Sequence, residues 1–204
     1  MDKRRYHSPL RQEQALATRE RILDAALGLF SQNGYGSTSI AAVAREAGVV
    51  PETIYATFGS KRGIVDGLIE RTVPPQVIAD LGDAWSAAGS PAKQVVVLAT
   101  FATAFWSRND ALATVFRLGT GEADIADEWS KRQSDRRGLF GRLVGTWPQT
   151  ALRKDLRRDR ERAADIVWAL TSNELFHLLV RERGWPAEAY EAWLADTLRR
   201  ELLA

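Results

Sequence analysis

The chain has 204 residues, of which 45% are hydrophobic and 26% are charged, so it is long enough and apolar enough to fold around its own core. It contains no cysteine, which excludes a disulfide framework and a cysteine-based zinc site. No apolar run approaches the ~20 residues that span a bilayer, and the polar N-terminus does not fit a signal peptide. A net charge of +2 does not by itself indicate a nucleic-acid partner. We expect a soluble, cytoplasmic protein.

Basic side chains precede the first helical pattern. Lys3, Arg4, Arg5 and Arg11 fit either a solvated tail or an arm that contacts DNA phosphates or the minor groove. We expect residues 1–17 to form a basic flexible arm, and both interpretations stay open.

A helical stripe of apolar side chains follows this arm. Its spacing predicts a first helix over residues 18–32. The side chains that form the stripe are Ile22, Ala25, Ala26, Leu29 and Phe30. The Asn33-Gly34 pair directly after it is typical of a helix C-terminus.

The most informative segment is residues 38–61, TSIAAVAREAGVVPETIYATFGSK, which predicts two short helices joined by a tight turn. Ser39 is placed to N-cap the first of them. Ala44 is small where the two helices cross, Gly48 lies where the turn requires a positive φ, and Val49 returns to the core.

The second helix of the pair is predicted over residues 51–58, with Pro51 at its first position. Ile54 and Phe58 point inward, four residues apart, so the opposite face is small and polar. That face consists of Glu52, Thr53, Ala56 and Thr57, which suit base edges and a thymine methyl group. Tyr55 and Lys61 flank the helix and suit phosphate contacts. The pattern predicts a helix-turn-helix for the DNA major groove; a helical hairpin that only packs is the alternative.

The segment LDAALGLFSQNGYGSTSIAAVAREAGVVPETIYATFGSKRGIVDGLI resembles the DNA-binding domain of the tetracycline-repressor (TetR) family of bacterial transcription regulators, over residues 18–72. The resemblance implies an all-helical homodimer with three N-terminal helices for DNA and a divergent C-terminal domain for a small inducer. It implies DNA contacts at Thr38, Ser39, Pro51, Glu52, Thr53, Tyr55, Ala56, Thr57 and Lys61. Two features depart from the family. Val50 stands where a serine cap is common, and Ala56 and Thr57 replace larger residues, which affects base preference.

Helical patterns fill the rest of the chain, so we expect an all-α protein of about nine helices. The predicted helices cover residues 61–72, 92–106, 111–118, 124–147, 161–183 and 187–203. Pro74-Pro75 marks the boundary between a DNA-binding domain, residues 18–73, and a ligand-binding and dimerisation domain, residues 74–204. The charged run at residues 153–162 is expected to be a solvated loop or the start of a helix.

The last two predicted helices are the candidates for dimerisation. The first of them is apolar on more than one side and the second carries a single apolar stripe, which favours a four-helix bundle between two subunits. The predicted interface residues are Ile166, Leu170, Leu178, Tyr190, Trp193, Leu194 and Leu198. Burial of both faces within one chain is the alternative.

Seven tryptophans and several phenylalanines indicate either ordinary core packing or an apolar ligand pocket in the C-terminal domain. The expected pocket residues are Phe101, Phe105, Trp106, Phe116, Trp129 and Trp168. Asn173 and His177 are expected to orient the ligand.

No pattern indicates an enzyme, a cofactor or a metal. His7 and His177 lack a nucleophile partner, and the glycines near residue 119 lack the preceding strand of a dinucleotide loop. The acidic residues at 122–128 are interpreted as a helix N-terminus. The sequence predicts a repressor that a small, largely apolar inducer releases from a palindromic operator. An activator, a ligand-independent regulator, a helical small-molecule-binding protein without DNA function and a scaffold are the alternatives.

Overall fold

The computed structural model is all-helical in the residues that it describes, 9–119 and 121–204, apart from the side chains of Pro9 and Asp124. Its helices are α1 Pro9–Asn33, α2 Ile40–Ala47, α3 Pro51–Phe58, α4 Lys61–Thr72, α5 Pro75–Ala88, α6 Pro91–Leu118, α7 Ala123–Gly145, α8 Arg160–Leu170, α9 Asn173–Phe176 and α10 Ala187–Leu202. A 3₁₀ turn, Gln149–Ala151, precedes α8, and a π-helical segment, His177–Glu182, continues α9. The expected all-α class is confirmed. Within these ranges no helix is both long enough and apolar enough to cross a bilayer.

Helix α1 begins at Pro9, nine residues before its predicted start, so the expected flexible arm is wrong for residues 9–17. This first part of α1 is exposed on every side, including Leu10 and Leu16. The prediction failed because the segment buries no face and therefore shows no apolar stripe. Arg11 lies on this helical extension, whereas Lys3, Arg4, Arg5 and His7 lie outside the described residues.

The first hydrophobic core joins α1–α4 to the middle of the chain. The predicted stripes of α1 and α4 are buried in it, with Ile64 and Val65 fully inaccessible. Side chains from the end of α6 and the start of α7 complete it, among them Val115, Phe116 and Ile125. The core therefore continues past the expected domain boundary at residue 73.

The second core lies among α5–α8 and α10. Trp85 and Trp147 stack in it with ring centroids 5.6 Å apart. The side-chain amide of Gln94 accepts a hydrogen bond from Trp147 Nε1 at 2.6 Å and donates one to the Trp85 carbonyl at 2.9 Å. Trp85 Nε1 donates to Thr146 Oγ1 at 3.2 Å. Both tryptophans are thus core residues whose indole N–H groups are satisfied within the protein.

Helix α6 is continuous over 28 residues, so the predicted break between residues 106 and 111 is wrong. Ser107 and Arg108 lie on the solvent side of this helix, whereas Asp110 is largely buried and Asn109 Nδ2 donates to the Phe105 carbonyl at 2.8 Å. Helix α5, Pro75–Ala88, was not predicted; it lies between the two breaks that the sequence indicates at Pro74-Pro75 and at Gly89-Ser90-Pro91.

The predicted helix over residues 161–183 is divided in two, because α8 ends at Leu170 and α9 begins at Asn173. Ser172 caps α9 by accepting from the Leu175 N–H. Trp106 Nε1 donates to the Thr171 carbonyl at 2.8 Å, so a side chain from another helix satisfies a carbonyl that the break leaves free.

Three predicted dimer residues prove to be core residues of the single chain. Tyr190, Leu194 and Leu198 on α10 are fully buried against α6 and α8, so no second subunit can reach them. The apolar stripe of α10 correctly indicated a buried face. The prediction that a second subunit covers this face was wrong, because helices of the same chain cover it. Ile166, Leu170 and Trp193 are half-buried, and Leu178 is 47% exposed.

Candidate DNA-binding face and ligand cavity

The turn between α2 and α3 has the predicted geometry. Gly48 adopts a left-handed conformation at φ 66° and ψ 39°. Its N–H donates to the Arg45 carbonyl, and the Val49 N–H donates to the Ala44 carbonyl at 2.9 Å. This is the Schellman arrangement, which satisfies the free carbonyls at the end of α2 and sends the chain into α3.

Helix α2 is capped as the sequence predicts, whereas α3 is not capped by a side chain. The Ser39 hydroxyl accepts from the Ala42 N–H at 3.1 Å. At the equivalent position of α3 stands Val50, which is 59% exposed and offers no acceptor to the helix. Pro51 follows at the first helical position, where its missing N–H costs no hydrogen bond.

Helix α3 is anchored on one face and open on the other. Ile54 is fully buried and Phe58 is partly buried in the first core. Tyr55 is 53% exposed, and Ala56 and Thr57 are also exposed. Glu52 lies on the same open side and Thr53 is half-buried. We call the solvent side of Pro51–Phe58 the α3 face.

The hydroxyl of Thr57 already forms a hydrogen bond within α3. Its Oγ1 donates to the Thr53 carbonyl at 2.8 Å, one turn back along α3. A hydroxyl in this position still offers its oxygen as an acceptor. Thr57 therefore presents a fixed acceptor and a methyl group to whatever meets the α3 face.

Thr38 does not belong to this open surface. Its side chain is 4% exposed, and its hydroxyl donates to the carbonyls of Gly34 at 2.9 Å and Leu29 at 3.3 Å. The side chain holds the turn between α1 and α2 together, so it is removed from the set of expected DNA contacts.

Lys61, at the first turn of α4, is held over the α1–α2 turn. Its Nζ donates to the Gly36 carbonyl at 3.3 Å and lies 4.2 Å from the centroid of the Tyr35 ring. Burial lowers the pKa of Lys61, and the charge of Glu122 acts in the opposite direction. The ammonium group is thus positioned near the α3 face but already has partners.

Helix α4 connects α1–α3 to the rest of the chain through an ion-pair network. Arg62 on α4 pairs with Glu128 on α7 at 2.7 Å, and Glu128 also pairs with Arg132 at 2.7 Å. Burial alone raises the pKa of Glu128, but Arg132 and Arg62 outweigh it and lower the pKa overall. The sequence indicated only that Glu128 belongs to a helix N-terminus. In the structure, Glu128 also joins α7 to the start of α4 through its pair with Arg62.

A cavity of about 310 Å³ lies among α4, α5, α6 and α7. Five of the expected pocket residues line it: Phe101, Phe105, Trp106, Phe116 and Trp129. Ile69 and Thr72 at the C-terminal end of α4, and Val73 directly after it, also line the cavity. Sequence reasoning missed these α4 residues, since a residue that packs in a helical stripe gives no sign that it borders a void.

The three remaining expected ligand residues lie elsewhere. Trp168 Nε1 donates to Gln133 Oε1 at 3.0 Å, and its ring does not line the cavity. Asn173 and His177 contact Asp110 on α6, at 3.0 and 3.2 Å. Burial alone raises the pKa of Asp110, but hydrogen bonds from Asn173 and His177 and the charges of His177 and Arg181 outweigh it and lower the pKa overall. This cluster ties α9 to α6 and is structural.

The sequence also gave no sign of Arg132 and Arg136, two arginines in the cavity wall. They come from a charge-rich stretch of α7 whose sequence is typical of a solvated face.

Within the part of the chain that the structure describes, no group of histidine and acidic side chains is placed to hold a metal ion.

Residues 22–68 match the model of the bacterial regulatory proteins of the tetR family. The chain is 40% identical over 58 residues to the HTH-type transcriptional regulator UidR of Escherichia coli K12. That match covers 28% of this chain and 30% of UidR, so it spans less than a third of the relative.

Two solved structures share the fold of nearly the whole chain. NalD of Pseudomonas aeruginosa, described as the secondary repressor of the MexAB-OprM multidrug efflux pump, superposes with a TM-score of 0.76 at 21% identity over 93% of this chain and 98% of its own. The SmeT–triclosan complex superposes with a TM-score of 0.67 at 17% identity over 92% of each chain. At such identities the likeness establishes the fold.

Proposed function

We propose that this chain, whose residues 22–68 match the tetR family of bacterial regulatory proteins, is a DNA-binding repressor of transcription that a small ligand releases from its operator. The α3 face carries the proposal. A two-turn helix that is anchored by Ile54 and leaves Tyr55, Ala56 and Thr57 open fits the major groove.

The proposed DNA contacts divide by role. Ala56 and Thr57, with Glu52 and Thr53, face base edges, where a methyl group and a hydroxyl distinguish bases. Tyr55, Lys61 and the N-terminal ends of α2 and α3, with Ser39 and Pro51, face phosphates and fix the register. Arg11, on the exposed start of α1, is a further candidate for a phosphate contact.

A homodimer is proposed because one α3 face is a small footprint, and a palindromic operator needs two of them. Since much of α10 is internal, the dimer surface is proposed on the outer side of α8 and its continuation. Ile166, Leu170 and the exposed Leu178 remain available there, and the half-buried Trp193 of α10 is a further candidate.

Ligand control is proposed to run through α4. One end of this helix lines the cavity with Ile69, Thr72 and Val73, and the other follows α3 directly. We propose that a ligand binds better when α4 is displaced and that DNA binds better when it is not. The ligand then lowers the affinity for DNA, and DNA lowers the affinity for the ligand by the same factor, because the two equilibria are linked. SmeT was solved with triclosan, which supports a ligand for a cavity in this fold.

The test is fluorescence anisotropy of the purified full chain on labelled duplex from its own upstream region. We expect salt-dependent binding that a scrambled duplex does not compete away, and no such preference in a Thr57→Ala, Ala56→Ser double variant. A protein that binds small aromatic molecules but shows no preference for the upstream duplex would support the alternative of a ligand-binding protein without DNA function.

A further inference from the structure

One wall of the cavity contains a cation, Arg136, that pairs with no carboxylate among the described residues. The Arg136 guanidinium donates to the Trp168 carbonyl at 2.9 Å and to the Thr171 carbonyl at 3.1 Å. Its Nε is buried and has no hydrogen-bond partner. The carboxylate that acts on it from a distance, Glu174, is exposed and forms no ion pair with it in the described chain.

The end of α8 explains only part of this arrangement. The carbonyls of Trp168 and Thr171 belong to a helix C-terminus, which carries roughly half a negative charge. They engage two of the three guanidinium nitrogens of Arg136 and leave Nε and part of the charge uncompensated. A buried charge without a full partner is costly, and burial lowers the pKa of Arg136 to about 10.

The surroundings of Arg136 favour one sign of ligand charge. The rings of Trp168 and Phe140 lie 5.5 and 5.7 Å from its guanidinium carbon and shield it from water. The other charged residues of the lining are Arg132, which is paired with Glu128, and the exposed Arg142 and Asp135. A cationic ligand would meet like charge here, whereas a neutral one would leave Arg136 as it is.

We propose that the cavity takes a ligand with an aromatic or other apolar body and one anionic group, a carboxylate or sulfonate, placed against Arg136. The apolar body fits the rings of Phe101, Phe105 and Phe116. The anionic group compensates the charge of the guanidinium through a charge-assisted contact. This inference rests on the proposed function of the cavity as the ligand site.

Two fluorescent probes with the same body test it. 8-Anilino-1-naphthalenesulfonate and N-phenyl-1-naphthylamine differ only in the sulfonate. We expect the sulfonate probe to bind the full chain at least about tenfold more tightly, as a charge-assisted contact implies, and each probe to displace the other. Arg136→Met should abolish this preference and leave the affinity for the neutral probe within about threefold.

Matched variants separate a local effect from general charge or folding. Arg137→Met removes the neighbouring arginine of α7, which is paired with Asp165 on the surface, and should retain the preference. Arg136→Lys keeps the charge and should retain most of it, while thermal melts report whether Arg136→Met is folded.

The outcomes distinguish this inference from the function on which it rests. Equal affinities, tighter binding of the neutral probe or probes that do not compete would overturn the anion preference. If the neutral probe binds and lowers the affinity for upstream DNA without any sulfonate preference, the inducer site stands and only the anion is wrong. If neither probe binds, the ligand-controlled half of the proposed function fails as well.

Discussion

At the scale of single residues, the turn between α2 and α3 depends on one glycine. Gly48 lies at φ 66°, and a Cβ at this position would contact nothing within 4 Å. The cost of a side chain is therefore conformational and not steric, because L-residues are disfavoured in the left-handed region.

We expect Gly48→Ala to lower the free energy of unfolding by about 1 kcal/mol. Urea denaturation followed by circular dichroism measures it. Gly82→Ala on α5 is the matched control, since its Cβ also meets nothing within 4 Å and its φ is not positive. A control variant that loses as much stability as Gly48→Ala would contradict the explanation.

Tyr55, on the α3 face, and Lys61, beside it, should affect DNA binding in different ways. Lys61→Gln removes a charge, so we expect weaker binding to every duplex and a slope of log affinity against log salt that is shallower by about one. Tyr55→Phe removes only a hydroxyl and should weaken binding without changing the slope. Anisotropy titrations at several salt concentrations measure both.

The control for Lys61→Gln is Lys154→Gln, which removes an exposed charge far along the chain. If both lysine variants changed the salt dependence equally, the effect would reflect net charge and not a contact at Lys61.

At the scale of elements, the sequence predicts best where helices are amphipathic and least where they are not. The stripes of α1 and α4 and the turn at Gly48 appear as predicted, because apolar spacing and glycine chemistry are local signals. The start of α1 and the break after Leu170 were missed. The first buries nothing, and the second depends on Trp106 and Arg136, which come from distant parts of the chain.

The candidate sites divide along the same line. The α3 face follows from a helical period, so it could be assigned from the sequence apart from Thr38, whose burial depends on the turn at Gly34. The cavity could be assigned only in part. Aromatic composition pointed to Phe101 and Trp129, but whether a ring borders a void or another side chain is decided by packing between helices.

The missing cap of α3 gives a prediction for that element. Val50 occupies the N-cap with an extended backbone and no side-chain acceptor. We expect Val50→Ser to raise the free energy of unfolding by about 0.5 to 1 kcal/mol, because the serine oxygen can accept a hydrogen bond from an unpaired backbone N–H in the first turn of α3. Thermal denaturation measures the gain.

A serine that is placed outside a cap should give no such gain. Val96→Ser, at a partly exposed position inside α6, is expected to be neutral or destabilising. An equal increase in both variants would show that the effect comes from lowering surface hydrophobicity.

At the scale of the whole molecule, the Arg62–Glu128 pair joins the start of α4 to α7, whose Arg132 pairs with Glu128 and lines the cavity. The pKa of Glu128 is lowered from its ordinary value of 4.5, so its contribution to stability is full above that pH and is lost as the pH falls through the folded pKa. We expect Glu128→Gln to cost about 1 to 2 kcal/mol at pH 7 and to flatten the loss of stability in acid.

Asp66→Asn is the control, because Asp66 pairs with the same arginine at 3.0 Å but is exposed. It should cost no more than about 0.5 kcal/mol. Urea denaturation between pH 3 and pH 7 measures the free energy of unfolding of both variants. Equal losses would contradict the claim that the Arg62–Glu128 pair between α4 and α7 contributes more than an exposed pair.

The α3 face of two subunits must meet one duplex if the proposed function is correct. Hydroxyl-radical footprinting of the full chain on its upstream DNA measures this most directly, with the number of chains per duplex taken from sedimentation. We expect an even number of chains and two related protected patches whose centres are about one helical turn, or a multiple of it, apart. A single patch bound by one chain, or uniform protection without any preferred site, would contradict it.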